Sequence, residues 1–228
     1  MKPIPHSVTR SAMLDQLARH ILAEPCLQPL RVAIDGVDAS GKTTLAAELA
    51  ARLPEMDSAR PVIQASIDHF HNPREVRYRQ GEDSAQGYYE DAFNLAALRD
   101  HLLKPLGPSG SRTIRTGLFD YRADTELAAE TRHAPENAIL LVDGVFLQRP
   151  ELAGLWELVI YVQVSVETVF SRVIERDLPL FGSREAVINR YQRRYLPAHE
   201  LYRQQCRPAE HAHALIINDD PTNPILLW

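Results

Sequence analysis

Leu30-Arg31-Val32-Ala33-Ile34-Asp35-Gly36-Val37-Asp38-Ala39-Ser40-Gly41-Lys42-Thr43-Thr44 is the stretch from which the rest of the chain can be read. Its first six residues form an aliphatic run of strand character, and Thr43 to Leu53 has helical periodicity. Between them, Gly36 to Thr43 matches G-x-x-x-x-G-K-[ST], and strand, loop and helix in that order are the context in which this pattern cradles phosphate. The glycines let the backbone wrap closely, so that successive amide hydrogens and the helix N-terminus face phosphate oxygens. Gly36, Val37, Asp38, Ala39, Ser40 and Gly41 then form the wall of a triphosphate site. Lys42 is set to reach the β and γ phosphates, Thr43 to ligate magnesium and Thr44 to donate to the α phosphate. The plain alternative, a glycine-rich turn that only caps a helix, does not require this flanking order.

Working outward, four more segments are short and aliphatic: Val62 to Ile67, Ile139 to Asp143, Leu158 to Val164 and Ala214 to Ile217. Strands apolar on both faces belong to a parallel sheet covered on both sides. The covering helices are expected at Ser11 to Ala23, Thr43 to Leu53, Phe93 to Leu103, Val166 to Arg176 and Glu185 to Cys206. The expected fold class is α/β: a P-loop NTPase fold with a doubly wound, parallel five-stranded sheet, helices on both faces and a helical lid. A single domain over residues 1–228 is expected, with 1–29 as an N-terminal helical extension and about 172–207 as the lid and following helix. Pro54 to Pro61 reads as a loop that ends the first helix. Thr113 to Thr116 reads as a short edge strand.

Composition narrows the partners. Among 228 residues the net charge is -5 with the signs interleaved, so no basic face offers itself to nucleic acid. Only Lys2, Lys42 and Lys104 of the 25 basic residues are lysines, which leaves mostly arginine, suited to bidentate contact with phosphate and carboxylate. Cys26 and Cys206 form no disulfide framework or metal-ligand pattern, Met1 to Ser11 has no apolar leader, and no run spans a membrane. A cytoplasmic protein acting on a small molecule is expected, without membrane or nucleic-acid partners; a homo-oligomer is left open.

Residues just after the strands of such a sheet converge on the ligand crevice, and Asp68 and Asp143 fall there. One can act as base toward a hydroxyl and the other as a magnesium-side carboxylate, although an aspartate after a strand also serves as a cap or turn residue. Asp35 and Asp38 read as supports of the loop. His71 is a candidate for substrate contact and His69 for a structural role, while His211 and His213 read as solvated. Arg172 and Arg176 stand four apart on one helix, followed by Asp177, Pro179, Gly182, Ser183 and Arg184. The proline and glycine read as a mobile loop, and flanking arginines can close over the transferring group. Arg74, Arg77 and Arg79 either line an acceptor pocket for a molecule bearing phosphate or carboxylate, or lie on a solvated loop.

The chain resembles the uridine kinase family, with similarity to phosphoribulokinase and pantothenate kinase relatives. The residues that carry the resemblance are Ala33 to Thr44, Asp68-His69-Phe70, Asp91-Ala92-Phe93, Phe119-Asp120-Tyr121, Asp143-Gly144, Arg172 to Asp177 and Tyr195 to Glu200. It implies an ATP- and magnesium-dependent kinase in which Asp68 takes the proton of a ribose hydroxyl and Lys42, Arg172 and Arg176 serve catalysis. It further implies His71, Tyr88, Asp91, Phe119, Tyr121, Asp124 and Arg184 around the acceptor, and Thr43 and Asp143 at the metal. The chain departs from the family pattern at His71 in place of tyrosine, Tyr88 near an expected carboxylate, Asp124 in place of histidine and Asp143 in place of glutamate. Two other readings compete. Arg74, Arg77 and Arg79 suit a nucleoside monophosphate kinase, against which the absent Asp-Arg pair of thymidylate kinases counts. A nucleotide-dependent switch is disfavoured by the absence of N-K-x-D.

Overall fold

The computed structural model describes residues 7–25, 27–128 and 130–228. Cys26 and Lys2 lie outside these, as does most of the Met1 to Ser11 segment. The central sheet contains β1 (Leu30–Gly36), β2 (Val62–Ser66), β3 (Ile139–Gly144), β4 (Leu158–Gln163), β5 (Ala214–Ile217) and β6 (Ile225–Leu227). Their order is β6-β5-β4-β1-β3-β2. β1 runs parallel to both β3 and β4, β2 is parallel to β3 and β5 to β4, while β6 pairs antiparallel with β5. The sheet thus has six strands where five parallel ones were expected. Proline and asparagine between Asn218 and Pro224 turn the chain back for a three-residue edge strand too short to announce itself by periodicity.

Burial of β1 on both faces explains its run of Leu30, Val32, Ala33 and Ile34, broken only by buried Arg31. Val32 and Ile34 pack with Met13, Leu17, Leu45 and Leu49, whereas Ala33 faces Phe70, Tyr88, Phe146 and Tyr202 on the other side. The first set comes from α1 (Arg10–Ala23), capped by Thr9, and α2 (Lys42–Met56). The second face is covered by α3 (Ala85–Asp91), the helical run from Leu95 to Leu106 and α6 (Leu196–Cys206). α2 continues past Pro54 to Met56, contrary to the loop expected there, because a proline in the last turn removes only one intrahelical donor.

The lid region is more helical than expected. α4 (Val166–Phe181) contains Pro179, again near its end, and stops at Gly182, whose left-handed φ of 79° suits glycine. Ser183 immediately caps α5 (Arg184–Arg190), which runs through a π turn at Tyr191–Tyr195 into α6. Pro179 to Arg184 is therefore a tight helix–helix corner and not a long loop. Val169, Val173, Val187 and Tyr191 give the hairpin its own small core. Thr113–Ile114 pairs with Arg132–His133 in a separate two-stranded ribbon, so it forms no edge of the main sheet.

Candidate active site

β1 ends where the loop begins. A Cβ on Gly36 would stand 2.2 Å from the Val162 carbonyl oxygen, so no larger residue fits between neighbouring strands. Gly41, at φ 96°, is the N-cap of α2 and leaves that helix start without a side-chain cap. Its first amide hydrogens are thus open to an anion. Behind the loop, Asp35 is fully buried and accepts hydrogen bonds from the Gly36 amide (2.8 Å), Gln148 Nε2 (3.0 Å) and the Tyr202 hydroxyl. Burial raises its pKa and these donors pull it back in part. Asp35 is a support, as its position in the motif suggested.

The loop opens into a cleft of about 720 Å³, lined among others by Lys42, Thr43, Thr44, Asp68, Asp143, Arg172 and Arg176. Lys42 Nζ donates to the Val37 carbonyl at 2.9 Å on the cleft wall. Thr43 Oγ1 donates to Asp143 Oδ2 at 2.5 Å. Asp143 is 7% exposed, and burial raises its pKa against the hydrogen bond from Thr43 and the charge of Lys42. A hydroxyl and a carboxylate in contact beside the loop form an oxygen donor set that suits a hard divalent cation.

A second cavity of about 890 Å³ adjoins the first, and Asp38, Asp68, Tyr88 and Arg176 line both. Asp68 sits on a short 3-10 turn, Ile67–Phe70, begun by Ser66, whose Oγ accepts from the Asp68 amide at 3.3 Å. Its carboxylate is accessible to water yet hemmed in by protein. That desolvation, with the charge of Asp38, raises its pKa against the pull of Lys42. Asp38 behaves oppositely. Burial works against its ionisation, but the hydrogen bond from His199 Nε2 (2.9 Å) and the charges of His199, Lys42 and Arg176 hold its pKa down at about 2.

His71 and Tyr121 also line the second cavity, their rings stacked at 4.6 Å. Burial lowers the pKa of His71 to about 4, so the imidazole is neutral near pH 7. Four expected contacts take other places. Asp91 is tied to Arg79 and Gln80 and lines neither cavity. Phe119 is buried as a packing residue. Asp124 accepts from the Arg74 amide and Arg77 Nη2, both at 2.9 Å, and so holds the wall from behind. Arg184, exposed at the first turn of α5, lies outside both cavities. Register explains the last displacement: the helix that begins there brings Arg190 and Arg194 to the cavity instead.

The two lid arginines differ. Arg172 is a strut, its guanidinium donating to the carbonyls of Ala39 (3.0 Å) and Asn218 (2.7 Å). Arg176 borders both cavities and is oriented by Asp177 and the Tyr191 hydroxyl at 2.6 to 2.9 Å. Of the three clustered arginines, Arg74 and Arg77 line the second cavity and Arg79 does not. Sequence reasoning missed Arg10, Asn218 and Pro221 on the first cavity. Asn218 Nδ2 bonds the Ser40 carbonyl at 2.7 Å, a contact across 178 positions that no local pattern signals. The His213 side chain accepts from the Val159 amide at 3.0 Å, so that histidine is not simply solvated.

A phosphate-binding loop, an adjoining second cavity and a carboxylate at their junction define a P-loop phosphotransferase. Residues 32–225 match the phosphoribulokinase / uridine kinase family, and the chain belongs to that family. It is an ATP-dependent kinase. A uridine kinase of Lactobacillus helveticus is 27% identical over 204 residues, covering 88% of this chain and 91% of its own. A possible uridine kinase from Bacillus stearothermophilus shares the fold with a TM-score of 0.70 at 24% identity, over 90% of this chain and 97% of that one. A putative fructose transport system kinase from Silicibacter sp. TM1040 does so with a TM-score of 0.66 at 22% identity, over 86% and 95%. Among the described residues no helix is long and apolar enough to cross a membrane.

Proposed function

We propose that the protein transfers the γ-phosphoryl group of ATP to a hydroxyl of a small acceptor, of the nucleoside class suggested by the uridine kinases among its relatives. The placement of Asp68 carries this reading: the carboxylate borders both cavities and accepts no hydrogen bond among the described residues, so it is available to an acceptor. Lys42 and the loop amides hold the triphosphate in the first cavity. The acceptor hydroxyl lies at the junction, with its ring system toward His71, Tyr88 and Tyr121. Its oxygen bonds to the γ phosphorus as the bond from that phosphorus to the ADP oxygen breaks, and Asp68 takes the hydroxyl proton. Arg176 faces the junction and neutralises charge that spreads over the transferring oxygens.

Thr43 and Asp143 would hold magnesium, which when bound supplies neutralisation of the phosphate oxygens. The Thr43–Asp143 contact is the feature of this structure that fits the ion. The nucleoside monophosphate kinase reading loses one of its three arginines, since Arg79 is engaged by Asp91 outside the cavities.

The test is to incubate the protein with γ-labelled ATP, magnesium and a metabolite pool, and to find by mass spectrometry the compound that gains a phosphate. One hydroxyl compound is expected to gain it in step with ADP. ADP formed with no phosphorylated product would contradict the reading.

A further inference from the structure

Charge is distributed unevenly along the second cavity. The junction end holds Asp38, Asp68 and Arg176, whereas the remaining wall presents Arg74, Arg77, Arg122, Arg190 and Arg194 against two carboxylates, Glu82 and Asp177. Arg74 pairs with Glu82, Arg77 with Asp124 and Arg190 with Asp83. Arg122 and Arg194 form no ion pair among the described residues. Arg194 is only 2% exposed, and its guanidinium lies 4.8 Å from the Tyr78 ring centroid and 5.4 Å from that of Tyr88. It donates to the carbonyls of Arg77, Gly81, Glu82 and Ser84, which solvate part of the charge but bring no counter-ion. Arg77 is 8% exposed, and its buried Nε has no partner.

A buried cation without a counter-ion is costly, and an unmet buried donor adds to that cost. The uncompensated charge is offset if an anion enters the cavity that Arg77 and Arg194 line. A neutral acceptor leaves them as they are. We infer that the acceptor carries an acid group, phosphate or carboxylate, at the end remote from the hydroxyl that meets Asp68, and that Arg194, with Arg122 and Arg77, selects it. This rests on the reading of Asp68 as the hydroxyl end and narrows the acceptor within it. Guanidinium groups suit either acid through paired N–H donors.

Matched acceptors that share a hydroxyl framework and differ in the acid test the inference. Uridine is set against orotidine, which adds a carboxylate, and uridine 3′-monophosphate, which adds a phosphate; glycerol is set against glycerate and glycerol 3-phosphate. In at least one set an acidic member is expected to exceed its neutral partner in kcat/KM by roughly 10- to 100-fold, the range of one or two hydrogen bonds to a charge. Arg194→Gln and, on the exposed side, Arg122→Gln should both shrink that ratio. A merely structural role would lower both members alike. Ranking the same compounds by the rise they cause in Tm gives a readout that needs no turnover. Neutral members favoured in every set, or ratios unmoved by both substitutions, would overturn the inference. Preferential binding of acidic members with no transfer to any hydroxyl would instead strike only the reading of Asp68.

Discussion

The two cavities that meet at Asp68 are built differently. The donor side is built around one continuous segment, Gly36 to Thr44, with Asp35 behind it and side chains such as Asp143, Arg172 and Asn218 completing the wall, so that backbone geometry does much of the positioning. The acceptor side is made from side chains drawn from Asp68 to Tyr88, Tyr121 and Arg122, and from α4 through the π turn after α5. A site made of backbone is constrained to one ligand type; a site assembled from distant side chains can be altered one residue at a time. A short motif therefore signals the phosphate donor, whereas no local pattern signals the acceptor.

Substitutions can break this contrast in graded fashion. Lys42→Ala should cost most, about 10³-fold in kcat/KM for every acceptor, since on the proposed reading it removes the charge that meets the phosphates. Steady-state assays with two unrelated acceptors check it, and a loss confined to one of them would place Lys42 on the acceptor side. Arg176→Gln, at the junction, is expected to lower kcat by roughly 10²-fold with a smaller change in ATP affinity. Equal losses in kcat and in ATP binding would make it a ground-state contact only. For Asp143→Asn, the magnesium concentration at half-maximal rate should rise about tenfold, as metal affinity falls when a ligand weakens. An unchanged magnesium titration would remove Asp143 from the metal. The smallest effect is expected for Tyr202→Phe, which takes a donor from buried Asp35 and should lower stability by about 1–2 kcal/mol in denaturant titration. No change in stability would mean that the remaining donors support the loop without it.

The five principal strands were legible because they are rich in aliphatic residues, β1, β3 and β4 through burial on both faces, and the loop was legible because its first glycine stands where a Cβ would collide with Val162. The antiparallel β6 escaped notice because three residues carry no period. Pro54 and Pro179 misled for one reason: proline ends a helix in its interior but is tolerated in its final turn. Asp68, to which a strand end pointed, Arg176, to which helix spacing pointed, His71, and Tyr88 and Tyr121, which the family resemblance implied, all line the second cavity. Asp91 and Arg184 were misplaced because adjacency to a motif says nothing about which way a helix turns its side chains. Arg190, Arg194 and Asn218 depend on contacts across more than 100 positions.

Asp68 also links chemistry to stability. Its raised pKa means that the folded protein holds this proton more tightly than the unfolded chain, so the group's contribution to stability is greatest in acid and falls as pH rises through its folded value. Asp68→Asn should therefore raise Tm slightly at pH 7 while it harms catalysis. The same shift places the acid limb of the wild-type rate above the ordinary carboxylate range. The decisive measurement is a comparison of ATP affinity and turnover in Asp68→Asn against wild type, with the acceptor identified from the labelled pool. The account predicts an ATP Kd nearly unchanged, turnover lower by roughly 10² to 10⁴, the span of general-base loss, and no acid limb. Wild-type turnover in the variant would contradict it.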